Sequence, residues 1–115
     1  MVDSRQLNIL RGTLDILVLR AVSWRPLHGF EIRLWLEERS AGQLEVDDSA
    51  LYQALHRLEA RGLVKSEWGV SDNNRRARYY RLTDSGRGFL MAETAKMVSY
   101  AETITKLLTV AAKPR

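Results

Sequence analysis

"LVKSEWGVSDNNRRARYYRLTDSG", residues 63–86, reads as two short strands on either side of a polar turn. "LVKSEWGV" and "ARYYRL" carry the branched and aromatic residues that strands favour. The Asp and Asn of "SDNNRR" between them tolerate left-handed backbone, so the spacing predicts a hairpin. The seven positions from Arg75 to Arg81 hold four arginines and two adjacent tyrosines. Alternation puts Tyr80 and Leu82 on one strand face and Tyr79 and Arg81 on the other. One tyrosine roots the hairpin in a core, and alternation leaves open which one. Trp68 is expected to pack at the hairpin base.

Upstream, the pattern turns helical. Residues 7–24 place Leu7, Leu10, Leu14, Leu17, Val18 and Ala21 at the recurrence of an amphipathic helix, weakened by Gly12. "WRPLHG" breaks it, because Pro26 disfavours helical geometry at Arg25. A second helix is predicted from about His28 to Ser40, with His28 as a capping or packing residue at its start. The connector "SAGQLEVDD" follows, with a short strand expected at Leu44–Val46. Asp47, Asp48 or Ser49 caps a third helix, whose Leu51, Leu55 and Leu58 share one stripe and which Gly62 closes. After the hairpin, Thr83 caps a last helix running to about Ala112, and "KPR" is a frayed tail. Three helices, a hairpin and a last helix make a mainly α chain with a small β-hairpin, the layout of a winged helix-turn-helix. The expected organisation is a winged domain over residues 1–83 and a C-terminal dimerisation helix over residues 84–115.

The 115 residues are 45% apolar and 28% charged, which suits a globular chain. The longest apolar run, "LDILVL", is too short to span a bilayer, and "MVDSRQLN" lacks the layout of a signal peptide. With no cysteine, these features predict a soluble cytoplasmic protein with no membrane partner. The net charge of +4 is unevenly placed: residues 49–88 hold eight basic and four acidic side chains, while the remainder balances at ten of each. One segment carries the whole excess, which points to a polyanion.

The third helix is the candidate reader of that polyanion. Opposite its leucine stripe lie Ser49, Gln53 and His56, flanked by Tyr52 and Arg57. Gln pairs with adenine, Arg with guanine or phosphate, and Ser and Tyr hydroxyls reach phosphate. In the hairpin, Arg75, Arg76 and Arg78 sit near the tip, where clustered cations repel unless an anion lies among them. Enzyme chemistry has little to stand on. His28 and His56 are separated by a whole helix and lack metal-ligand spacing. Neither Ser49 nor Ser85 sits in a nucleophile elbow, and no glycine-rich phosphate loop follows a strand. No catalysis, cofactor or metal is expected.

The last helix repeats Leu90, Met97, Ile104 and Ala111 at seven-residue spacing, widened by Val98, Ala101, Leu107 and Leu108. Seven-residue recurrence signals association, so Leu90, Met97, Ala101, Ile104 and Leu108 are the expected dimer contacts. A dimer also brings the two-fold symmetry of DNA half-sites.

"GTLDILVLRAV", "LHGFEI", "SALYQALHRLEARGLV" and "NNRRARYYRLTDSGR" together resemble the PadR family of bacterial transcriptional regulators, over roughly residues 7–90. The short last helix is similar to that of the small subfamily. The resemblance implies a winged-helix homodimer that binds double-stranded DNA and usually represses its target genes. The wing residues expected at the DNA beside the third helix are Asn74, Arg75, Arg76, Arg78 and Tyr79. The resemblance also implies a small aromatic or lipophilic effector at the dimer interface, where the last helix offers Phe89 and Tyr100. The family often has proline where Gln53 stands and glycine where Asn74 stands. The competing reading is a winged helix used as a protein- or RNA-docking module.

Overall fold

The computed structural model describes residues 11–111. Their order is α1 (Arg11–Ala21), β1 (Leu27–His28), α2 (Gly29–Arg39), α3 (Asp48–Ala60), β2 (Val64–Val70), β3 (Arg76–Leu82) and α4 (Asp84–Thr109). This is a mainly helical fold with one small antiparallel sheet of order β1-β3-β2. Leu7 and Leu10 of the expected first helix lie outside the described residues, as do Ala112 and the "KPR" tail.

Local capping sets most of the boundaries. His28 opens α2 with a reciprocal box: its Nδ1 accepts from the Glu31 backbone N–H at 3.3 Å, and its own N–H donates to Glu31 Oε1 at 3.1 Å. Asp47 caps α3 by accepting from the Ala50 N–H at 2.9 Å, and Thr83 caps α4 by accepting from the Gly86 N–H at 2.9 Å. At the end of α3, Gly62 takes φ +74. Leu63 N then donates to Leu58 O at 2.9 Å and Gly62 N to Glu59 O at 3.0 Å. That paired closure needs left-handed backbone, which glycine adopts without strain. Leu63, next in the chain, drops into the core.

The core gathers one stripe from each helix: Leu14, Val18 and Leu19 of α1, Ile32 and Leu36 of α2, and Leu51, Leu55 and Leu58 of α3. Val64, Tyr80 and Leu82 close it from the sheet, and Leu90 closes it from α4. Tyr80 is therefore the tyrosine that roots the hairpin, and burial pushes its phenol pKa up.

Two expectations fail here. No strand forms at Leu44–Val46. Leu44 instead donates its N–H to Ser40 Oγ at 3.0 Å, and Val46 enters the core as a single side chain. The third strand is Leu27–His28, which pairs with Tyr80 and Tyr79 on the free edge of β3. Trp68, expected at the hairpin base, is 56% exposed. The register explains it: Ser66 stands opposite Tyr80 at the base, and Trp68 stands one pleat further out, opposite Arg78.

Helix α4 has 26 residues, about 39 Å at 1.5 Å per residue. Among the described residues its start packs on the core, through Gly86, Phe89 and Leu90. The rest projects, and the molecule measures 63 × 31 × 21 Å.

Candidate nucleic-acid interface

Helix α3 has two chemically distinct sides. Leu51, Ala54, Leu55 and Leu58 are buried, whereas Ser49, Tyr52, Gln53 and His56 are exposed on the opposite side. The exposed four are the expected reading set, and they stand together on a helix held rigid from behind. Gln53 Nε2 donates to Ser49 Oγ at 3.4 Å, a long bond to an exposed partner that a base edge could replace. Asp48 in the first turn is paired with Arg33 of α2 at 3.2 Å.

Arg57 departs from expectation. Its guanidinium turns inward to Asp15 of α1, with Nη2–Oδ1 at 2.7 Å and Nε–Oδ2 at 3.5 Å. Asp15 is buried, and this fork is its compensation. In this structure Arg57 ties α3 to α1 and does not flank the exposed face.

Tyr52 joins the reading helix to α2. Its ring lies so close to Gly29 that a Cβ built there would stand 2.5 Å from the hydroxyl and 2.9 Å from Cζ. Only a residue without a side chain permits this approach. Beside Gly29, the His28 ring meets Tyr79 edge-on at 5.3 Å. Tyr79 in turn covers Gly69 of β2, and its hydroxyl donates to Val70 O at 3.2 Å. A continuous packed path thus runs from α3 through the start of α2 into the hairpin. Tyr79, expected at the DNA, is half-buried with its hydroxyl committed inside the wing.

The hairpin turn is built by Ser71. Asn74 N donates to Ser71 O at 2.9 Å and Ser71 N to Arg75 O at 2.7 Å. Asn74 has φ 60, in the left-handed region that glycine and asparagine suit best. Its backbone thereby serves the turn, which accounts for a residue of this type at the position. Past it, Arg75 and Arg76 are exposed and form no ion pair among the described residues. Arg78 differs. Its Nε donates to Ser66 Oγ at 2.7 Å, and Nη2 lies 3.6 Å from Glu59 Oε2 near the end of α3. Ser66 Oγ itself donates to Glu59 Oε2 at 2.6 Å. Of the three expected wing cations, two have no ion-pair partner among the described residues and one faces a carboxylate.

Arg76 and Arg78 both lie against Trp68, with guanidinium carbons 4.4 and 5.6 Å from the ring centroid. Sequence reading missed this stack, because it depends on cross-strand register. The i, i+2 spacing of Arg76 and Arg78, with an aromatic at the matching distance from the turn on the other strand, was the signal that could have found it.

On α4, Leu90 is buried in its own domain and is therefore unavailable to the stripe it was expected to start. Met97 is half-buried, while Ala101, Ile104 and Leu108 are exposed, together with Val98 and Leu107. No helix among the described residues is long and apolar enough to cross a membrane.

The comparisons with known proteins agree with this geometry. The model of the transcriptional regulator PadR-like family matches residues 18–92, from the second half of α1 to the start of α4. The transcriptional regulator Rv3488 of Mycobacterium tuberculosis is 34% identical over 95 residues, which are 82% of this chain and 84% of that protein. A PadR family transcriptional regulator from Eggerthella lenta superposes with a TM-score of 0.72 at 31% identity, covering 87% of this chain and 85% of the other. Another from Clostridium difficile superposes with a TM-score of 0.69 at 26% identity, covering 83% of this chain and 97% of the other. With a two-faced third helix, a hairpin beside it and a family match spanning both, this chain belongs to the PadR-like family of transcriptional regulators.

Proposed function

We propose that this regulator binds duplex DNA sequence-specifically as a homodimer and represses transcription from a palindromic operator. Helix α3 enters the major groove, where Gln53 reads a base edge and Ser49, Tyr52 and His56 reach bases or phosphates. The wing lies alongside, with Arg75 and Arg76 on the backbone. The observation that carries this reading is the two-sided α3: a polar face backed by a leucine stripe, next to two uncompensated arginines.

The dimer is supported by the projecting half of α4. Ile104, Leu107 and Leu108 are 38%, 66% and 79% exposed on the single chain. Covering these six side chains in a pair, at about 1.5–3 kcal/mol each, is comparable with an association cost of roughly 4–15 kcal/mol.

Selection of bound duplexes from a random DNA pool tests the reading. An enriched inverted repeat is expected, and the same repeat placed over a promoter should lower reporter output when the protein is present. Sequence-independent retention of the pool would favour a docking module over a reader.

A further inference from the structure

We propose that Trp68 is a positioning residue for the wing, holding Arg76 at a fixed place relative to α3 so that its guanidinium is preset for a phosphate. The proposal rests on the DNA-binding reading above and adds a residue that this reading does not use.

An exposed tryptophan in a strand needs a reason, and here the surroundings supply one. Glu59 of α3 holds Ser66 and Arg78, at 2.6 and 3.6 Å. Arg78 is thereby held toward the end of α3, and Trp68 stands directly opposite it in the β2–β3 register. The indole packs on Arg78 at 5.6 Å and on Arg76 at 4.4 Å. The order is Glu59, Arg78, Trp68, Arg76: a relay from the reading helix to the wing tip. Its first cation is neutralised by a carboxylate. Its last forms no ion pair among the described residues, and the group packed on the Arg76 guanidinium is an uncharged ring.

That choice of partner matters chemically. A carboxylate would fix the arginine but would occupy its donors and cancel its charge. Stacking on an aromatic face restrains the guanidinium while leaving its in-plane N–H groups free for a phosphate. A free arginine loses much of its rotamer freedom on docking. An arginine already stacked has lost part of it before DNA arrives, which raises affinity by preorganisation.

The test is a double-mutant cycle on the full chain, with a labelled duplex of random sequence as probe, since phosphate contact is independent of sequence. An exposed cation–π contact of the usual strength corresponds to about three- to fivefold per wing, hence about ten- to twentyfold in a dimer. Trp68→Ala should weaken binding by about that factor, and Trp68→Phe should restore most of it, because a flat face remains. In an Arg76→Ala background, Trp68→Ala should cost less than about twofold. An equal loss in both backgrounds would overturn the proposal. A second readout needs no DNA: the Arg76 side-chain N–H resonance should be ring-shifted and lose that shift in Trp68→Ala. An unshifted resonance in the wild type would overturn the stack itself. A shifted resonance in a protein that binds no duplex would instead overturn the DNA reading, and the positioning role with it.

Discussion

Arg57 of α3 and Asp15 of α1 meet across the back of the reading helix, Nη2 to Oδ1 at 2.7 Å, although 42 residues separate them in sequence. Asp15 is 8% exposed, and Arg57 is its one ion-pair partner among the described residues. Removing the arginine strands a buried carboxylate. Arg57→Ala should therefore destabilise the fold by about 2–3 kcal/mol, below the full cost of a deeply buried pair because the guanidinium is partly exposed. A melting temperature lower by about 10 °C is the expected signature. DNA binding by the remaining folded protein should keep its salt dependence. A stable Arg57→Ala protein with a flatter salt slope would return Arg57 to the interface.

Gly29 and Tyr52 make the second testable junction. A methyl group at position 29 would collide with the Tyr52 hydroxyl and ring carbons. Gly29→Ala should cost about 1–3 kcal/mol, the usual range for overpacking. Combining it with Tyr52→Phe removes the nearest atom and should recover part of that loss. Denaturant unfolding of the four proteins measures the coupling, and additive losses would mean that Tyr52 is free to swing away.

These two relationships mark where sequence reading stops. Caps were legible because they act over three or four residues: Thr83 and Gly62 each announce a helix end with a local signal, and Asp47 is one of three adjacent candidates for the start of α3. The leucine stripe of α3 was legible for the same reason, and it placed Ser49, Gln53 and His56 outward by geometry alone. Strand β1 was not, because two residues are too few to show alternation. Which tyrosine faces the core, and where Trp68 ends up, depend on how far the hairpin extends past the core. Asp15 reads as an ordinary polar position in an amphipathic helix until the fold brings Arg57 to it. Pairings decided by tertiary packing leave no periodic trace.

On the reading face, Gln53→Ala should relax base preference at one operator position per half-site, costing about 1–3 kcal/mol against the preferred base. Competition with operators substituted at single positions measures this. If every sequence weakens equally, Gln53 contacts backbone, and the base reader must be sought at Ser49 or His56.

In α4, Ile104→Glu with Leu108→Glu should give monomers in sedimentation experiments. The domain should still melt cooperatively, because among the described residues the core draws on the start of α4, at Gly86, Phe89 and Leu90, and not on Ile104 or Leu108. A double variant that stays dimeric would move the interface off the projecting helix.

The wing arginines separate into two kinds, and salt dependence should tell them apart. Arg75 and Arg76 are exposed at the tip without ion pairs among the described residues, whereas Arg78 is bound to Ser66 and faces Glu59. Each phosphate neutralised contributes about 0.9 to the slope of log affinity against log salt. Two arginines on each of two wings account for about 3–4 units of that slope. Arg75→Ala with Arg76→Ala should remove that amount and weaken all DNA sequences alike. Stability should scarcely change, since neither side chain supports the core. Arg78→Ala should do the reverse. It leaves the Glu59 carboxylate near the DNA without its cation, so affinity falls through repulsion and a looser wing while the slope changes by well under the roughly 0.9 per wing of one phosphate contact. A slope change of about 0.9 per wing for Arg78→Ala, as large as that of each tip arginine, would mean that Arg78 leaves Glu59 for phosphate when DNA binds, and the wing would then be remodelled by its ligand instead of preset for it.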